Sequence, residues 1–158
     1  MENNKYYAPE ILEFYIGFKY EVNYDFVLTA LERYQQKSTW YSKVFEVKDY
    51  EFIEHQIKTN YVRVKYLDKQ DIEELNWVFA TTELDILEIY YIDREAIDEI
   101  ESKFILTRNI KEKFITIELE ENYLFDPITN PTETHRIFQG KLKNKNELKV
   151  LMRQLNII

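Results

Sequence analysis

Hydrophobic residues that recur at every second position are the strongest constraint on what this chain can fold into. Between Leu12 and Val22 every even-numbered residue is apolar or aromatic, and most odd-numbered ones are polar. Because successive side chains of a strand point to opposite faces, the pattern predicts a half-buried strand over residues 12–22. Further β-rich runs predict strands over residues 40–48, 61–67, 84–92, 104–107, 113–121 and 134–142. The runs 104–107 and 113–121 are predicted to form a hairpin around residues 108–112.

A helical repeat is clearest near the carboxyl end. Four apolar residues there have the spacing of one helix face, namely Leu148, Leu151, Met152 and Leu155. Asn144 and Glu147 precede them as a capping pair. The pattern predicts a C-terminal helix packed on a sheet, and deletion of residues 146–158 is expected to expose that sheet and to unfold or aggregate the protein.

A second helix start lies in the middle of the chain. Asp68 has the position of an N-cap, and Asp71 follows three residues later as its reciprocal partner. The helix that follows is predicted to direct Ile72 and Leu75 into the core. Weaker patterns predict a helix over residues 23–36, a short helix over 49–58 and a helical turn over 93–102.

These elements predict the fold class. About seven strands and two to four short helices, which do not alternate strictly, favour an α+β fold with a largely antiparallel sheet over a doubly wound parallel one. A length of 158 residues is typical of one domain, and a single domain over residues 1–158 is expected. The segment 126–132 contains two prolines and predicts a surface connection within that domain.

Composition restricts the partners and the compartment. The formal net charge of −8 opposes general affinity for a phosphate backbone, so nucleic acid is not the expected partner. No run approaches the roughly 20 apolar residues that cross a bilayer, and no membrane association is expected. The chain has no cysteine, which removes disulfides and thiolate metal sites and fits a reducing compartment. A cytoplasmic protein is therefore expected.

Glycine is nearly absent, and this excludes several catalytic motifs. Loops that cradle phosphates and turns that expose a nucleophilic serine depend on glycine, because the backbone must approach the ligand or adopt positive φ. Gly17 and Gly140 are the only glycines, and each stands inside a predicted strand, where a bend or bulge is the expected reason for it. The sequence predicts no cofactor and no catalytic residue of these types.

Carboxylates and a histidine near the later strands leave one enzymatic alternative open. The group consists of Glu118, Glu120, Glu121, Asp126, Glu133 and His135. A metal-dependent hydrolase of nucleic acid or nucleotides would gather such side chains, with Glu118, Glu120 and His135 as its candidate residues. A solvated acidic face is the simpler interpretation, because other parts of this acidic chain give equally good clusters.

An aromatic and basic row is the candidate binding site. Tyr61, Arg63 and Lys65 share one face of a predicted strand, and Tyr15 and Lys19 are expected beside them on the first strand. Such a row can stack single-stranded bases or anchor a protein, and the acidic total charge favours a protein partner. Packing across an exposed sheet face is the structural alternative.

Three segments carry a resemblance to known sequences. They are Tyr7–Ile11 running into Phe14–Glu21, then Val62–Ile72, then Ile137–Asn144. They resemble small uncharacterised accessory proteins encoded by phages and mobile elements of Bacteroidota bacteria. The resemblance covers about a third of the chain, is structural in content and implies a phage or prophage context without assigning a reaction.

Together these features predict a non-enzymatic accessory protein that binds and modulates a host protein, including a component of host defence. Two alternatives remain at this stage. One is the metal-dependent hydrolase described above. The other is a minor virion or assembly component, for which another phage protein would be the partner.

Overall fold

The computed structural model describes residues 5–23, 40–94, 100–123 and 132–158. Within these ranges nine strands form two antiparallel sheets, of four and five strands, accompanied by three α-helices. The α+β class, the antiparallel pairing and the C-terminal helix are confirmed, whereas the strands number more than the predicted seven and form two sheets instead of one. The chain divides into two compact units, Met1–Tyr66 and Leu67–Ile158, each with its own hydrophobic core. The single-domain assignment stays a prediction.

The amino-terminal unit contains a sheet with the strand order β1-β4-β2-β3. Its strands are β1 (Tyr6–Tyr7), β2 (Lys19–Asn23), β3 (Trp40–Val44) and β4 (Val62–Lys65). Helix α1 (Tyr50–Lys58) lies between β3 and β4, as predicted, and two single-turn 3₁₀ helices span Ile11–Glu13 and Val47–Asp49. The helix predicted over residues 23–36 is wrong at Asn23, which is the last residue of β2. Residues 24–36 lie outside the described residues.

The first predicted strand is much shorter than expected. The backbone N–H of Glu13 donates to the carbonyl of Glu10 at 3.0 Å and closes a 3₁₀ turn where the alternation predicted extended chain. The Glu13 side chain also accepts a hydrogen bond from the backbone N–H of Glu10 at 3.2 Å. Gly17 then adopts a φ of +93° in a turn, which a side chain would oppose, so its role is a turn and not a strand bend. As a result, Leu12 and Ile16 point to solvent instead of the core.

Aromatic rings form the centre of this unit's core. Phe45 is fully buried, and its ring centroid lies 5.2 Å from that of Phe14, 6.5 Å from that of Tyr20 and 4.9 Å from that of Tyr50. Edge-to-face contacts of this kind add to the free energy gained by burying the rings. The inward positions Phe14, Phe18, Tyr20 and Val22 are therefore confirmed, together with Val62 and Val64 of β4.

A buried carboxylate supports the turn before α1. Asp49 is 6% exposed; it lies 2.5 Å from the Nζ of Lys43 and accepts a hydrogen bond of 2.9 Å from the backbone N–H of Glu46. Burial by itself raises the pKa of Asp49, but the hydrogen bonds from Lys43 and Glu46 outweigh it, and the pKa lies below its ordinary value.

This arrangement predicts a loss of stability in acid. The contribution of Asp49 is complete above the ordinary aspartate pKa of about 4 and is lost as the pH falls through the lower pKa of the folded state. Asp49→Asn is therefore expected to cost about 1–3 kcal/mol at neutral pH, with a smaller difference from wild type in acid. Denaturant unfolding at a series of pH values measures both. Glu54→Gln is the control, because its ion pair with Lys58 is exposed; equal pH profiles for the Asp49 variant and wild type would contradict the assignment.

The carboxyl-terminal unit is a five-stranded meander with two helices. Its strands are β5 (Val78–Glu83), β6 (Leu87–Asp93), β7 (Ile100–Asn109), β8 (Phe114–Tyr123) and β9 (Glu133–Lys141), and its helices are α2 (Lys69–Glu73) and α3 (Lys145–Gln154). The β7–β8 hairpin is confirmed but is longer than predicted, and β5 was not predicted. The helical turn predicted over 93–102 is wrong at residues 100–102, which belong to β7 because each of them pairs with a residue of β8. Residues 95–99 of that turn lie outside the described residues, as do residues 126–131 of the predicted connection.

Both predicted caps are present. The Asp68 side chain accepts from the backbone N–H of Asp71 at 3.1 Å, and the Asp71 side chain accepts from that of Asp68 at 3.2 Å. Asn144 likewise accepts from the backbone N–H of Glu147 at 3.0 Å. The helices that follow bury their apolar faces in one core, which includes Ile72, Leu75, Trp77, Leu106, Ile117, Leu148, Leu151 and Met152.

Two register shifts interrupt the outer pairs of this sheet. One lies between Phe79 and Thr81 in the β5–β6 pair, and the other between Ile117 and Glu118 in the β8–β9 pair. The central pairs β6–β7 and β7–β8 keep one register throughout their described length. Gly140 lies within β9, where a Cβ would meet the Phe138 ring at 2.9 Å.

Among the described residues, the helices are all too short or too polar to cross a bilayer.

Candidate functional site

The predicted binding row lies on one face of the four-stranded sheet. Arg63 of β4 is directly opposite Glu21 of β2, and Lys65 of β4 is directly opposite Tyr6 of β1. Residues that face each other across an antiparallel pair share one side of the sheet. Since the buried residues Val62 and Val64 alternate with Arg63 and Lys65, this side is opposite to the aromatic core.

Arg63 is the centre of this face. Its guanidinium carbon lies 3.7 Å from the ring centroid of Tyr6 and 4.2 Å from that of Trp40, and its Nε donates a hydrogen bond of 2.7 Å to Glu21. A planar guanidinium can stack on aromatic faces while it pairs with a carboxylate in its own plane. We call Tyr6, Glu21, Trp40 and Arg63 the Arg63 cluster.

The Arg63 cluster takes one residue from each strand of the sheet. Tyr6 comes from edge strand β1 and Trp40 from edge strand β3, while Arg63 and Glu21 come from the inner strands β4 and β2. The side chains of Arg63 and Glu21 are each 27% exposed, so the ion pair is partly shielded from water. The cluster therefore connects all four strands through side-chain contacts and holds two large rings in fixed positions.

The structure brings four of the five predicted binding residues to this face. Lys19 is exposed on β2, two residues before Glu21. Lys65 is the last residue of β4 and Tyr61 directly precedes that strand, and both are half-buried. Tyr15 does not join them. It precedes the turn at Gly17, outside β2, and its ring packs against that of Phe18 at 5.6 Å. The turn breaks the alternation on which the placement of Tyr15 depended.

Three members of the Arg63 cluster were missed from sequence. Glu21 is at an odd position of the first alternating segment, and this pattern predicts that its side chain points outward. The pattern does not predict that Arg63 is its partner. Tyr6 belongs to a strand of two residues, which is too short to give a periodic signal. Trp40 begins a β-rich run, and only the pairing of β2 with β3 places it near Arg63.

The carboxylates and histidine of the enzymatic alternative are not brought together. Glu118 pairs with Arg136 at 3.4 Å and Glu120 with Lys103 at 2.7 Å. His135 is opposite Leu119 in the β8–β9 pair and thus faces the other side of the sheet from Glu118, with Glu133 at 3.3 Å as its neighbour. Asp126 lies outside the described residues. Across the described ranges, no three acidic or histidine side chains are grouped as a metal site requires.

Comparison with protein-family models, with curated proteins and with solved structures gives no match to this chain.

Proposed function

We propose that the chain is a non-enzymatic protein that binds another protein and modulates it, with the Arg63 cluster face as its contact surface. The observation that carries the proposal is the stacking of Arg63 between Tyr6 and Trp40, which fixes two aromatic rings on a solvent-facing sheet. Tyrosine, tryptophan and arginine dominate the binding energy of protein interfaces. Rings that are held in place before binding lose less conformational entropy when a partner covers them.

Charge on this face favours a protein over a nucleic acid. The guanidinium of Arg63 already lies against two rings and donates its Nε to a carboxylate, so part of its capacity to bind a phosphate is used within the sheet. Among the described residues, Lys19 and Lys65 are further cations of the face and the Nζ of Lys5 lies 5.9 Å from the Tyr6 ring centroid, whereas the chain as a whole carries a net charge of −8. A phosphate backbone requires more clustered cations than these. The expected partner surface contains carboxylates and a site for an aromatic ring.

The resemblance to phage accessory proteins supplies the context of this proposal. In that context the partner is a protein of the bacterial host cytoplasm, and a component of host defence is one such target. The metal-dependent hydrolase has less support, because its three candidate residues occupy opposite faces of the sheet. A virion or assembly component would form oligomers when pure, which light scattering measures.

The proposal is tested by affinity capture from host lysate, followed by affinity measurement with the partner that is found. Tyr61→Ala with Lys65→Ala is expected to weaken binding at least tenfold, about 1.4 kcal/mol. The melting temperature of the same variant separates lost binding from lost stability. Arg63 is kept, since its removal would release both stacked rings. Tyr41→Ala with Lys58→Ala is the matched control, because it removes the same residue types elsewhere in the unit. Failure to capture a partner under several conditions, or equal affinities for both variants, would refute the proposal.

A further inference from the structure

The two 3₁₀ helices of the amino-terminal unit present apolar side chains to solvent. Leu12 of the first is 90% exposed, and Val47 of the second is 67% exposed. Both helices begin after a glutamate and have an acidic residue in the first turn. A leucine and a valine that are mainly exposed, at similar positions in the two helices, contribute little to the core of this unit.

Backbone hydrogen bonds hold the segments around these helices side by side. The N–H of Gly17 donates to the carbonyl of Phe45 at 2.9 Å, and the N–H of Phe45 donates to the carbonyl of Phe18 at 2.8 Å. Beneath them the rings of Phe14 and Phe45 are in contact. The exposed side chains that flank this junction form what we call the apolar patch: Leu12, Tyr15, Ile16, Val47 and Tyr50.

The chain around the apolar patch is strongly acidic. Residues 10–17 and 44–51 contain five carboxylates and one lysine, a formal charge of −4. Two of the carboxylates have a cationic partner, Asp49 in Lys43 and Glu46 in Lys48 at 2.6 Å. Glu10, Glu46 and Glu51 are exposed. The patch is therefore an apolar surface with an acidic rim, whereas the Arg63 cluster face has more cations than carboxylates.

We infer that the apolar patch binds a basic amphipathic segment of another protein. Apolar side chains of the segment would cover Leu12, Ile16 and Val47, while lysine or arginine residues beside them would meet the acidic rim. Neighbouring exposed apolar side chains with a charged rim are typical of interaction sites, and complementary charge selects the partner. A second copy of the chain does not fit, since pairing would bring two acidic rims together. An anionic membrane surface is repelled for the same reason.

The inference is tested on the full chain with a synthetic peptide of lysine and leucine, with leucines at helical spacing, and with its glutamate counterpart. The lysine peptide is expected to bind to the protein, whereas the glutamate peptide is expected not to bind. Leu12→Ser with Val47→Ser should weaken binding of the lysine peptide at least tenfold without altering any charge. Leu84→Ser with Val78→Ser is the matched control; it removes an exposed leucine and valine elsewhere and should leave the affinity unchanged. Equal weakening by both pairs would overturn the inference.

A charge series separates the rim from the net charge of the protein. Glu10→Gln with Glu51→Gln should weaken binding of the lysine peptide more than Glu83→Gln with Glu112→Gln, which lie at other exposed positions. If both pairs of substitutions weaken binding equally, the peptide is attracted by the total charge of the protein alone, and the inference is overturned. Binding to vesicles of anionic phospholipid that is lost in Leu12→Ser with Val47→Ser would also overturn it. Tyr61→Ala with Lys65→Ala should retain peptide binding, so this inference and the proposed function can fail separately.

Discussion

Replacement of Leu148 and Met152 by alanine is expected to unfold the carboxyl-terminal unit. Both side chains are fully buried in its core, where Met152 also accepts a hydrogen bond of 3.3 Å from the Trp77 indole N–H. Each large-to-small change in such a site costs about 2–5 kcal/mol, and the two together approach the total stability of an ordinary domain. Deletion of residues 146–158 should have the same result, because it removes Leu151 as well.

Hydrogen exchange of the β7 and β8 amides measures this loss, and light scattering detects the aggregation that follows exposure of the sheet. Lys149→Ala with Arg153→Ala is the matched control, since these exposed residues have the same spacing on the same helix. The control should keep the protection of wild type. Unchanged protection in the Leu148 and Met152 variant would show that α3 contributes little to this unit.

Phe45→Ala is expected to have the largest effect of any single substitution among the described residues of the amino-terminal unit. The ring is fully buried and contacts three other aromatic rings, so its loss leaves a cavity that β-sheet and turn backbone cannot fill. The expected cost is about 3–5 kcal/mol. Phe52→Ala is the control, because Phe52 is 61% exposed on α1, and it should change stability by less than about 0.5 kcal/mol.

Hydrogen exchange of β2 and β4 amides follows the Phe45 variant directly. In Phe45→Ala, the protection of these amides from exchange should fall by the factor that corresponds to the lost free energy of unfolding. In Phe52→Ala, it should stay at the value of wild type. A similar change in both variants would mean that the aromatic contacts of Phe45 do not support this sheet.

Local patterns predicted the elements that depend on neighbouring residues alone. The caps at Asp68 and Asn144 need only a side chain and a backbone N–H three residues away, and both were found. The apolar face of α3 was likewise visible, because a period of 3.6 residues is repeated over its length. The β7–β8 hairpin was predicted since its two strands are adjacent in sequence.

Features that depend on distant contacts were not predictable in this way. β5 contains Val78, Phe79 and Ala80 in succession, so it has no alternation, and its register shift against β6 displaces the later residues. The division into two sheets depends on which strands pair, and sequence periodicity carries no information about partners. The Arg63 cluster needs all four strands in register, and for this reason Arg63 was predicted on the surface while its two rings and its carboxylate were not.

The register shifts of the five-stranded sheet have a consequence for how the protein behaves at high concentration. An edge strand with regular hydrogen-bonding groups can recruit another chain and start aggregation. Here both shifts fall in the outer pairs, β5–β6 and β8–β9, while the central pairs are regular. Irregular pairing bends and twists a strand, so each edge offers a poor template to a neighbouring molecule. The sheet can thus end at β5 and β9 without extending from one molecule into the next.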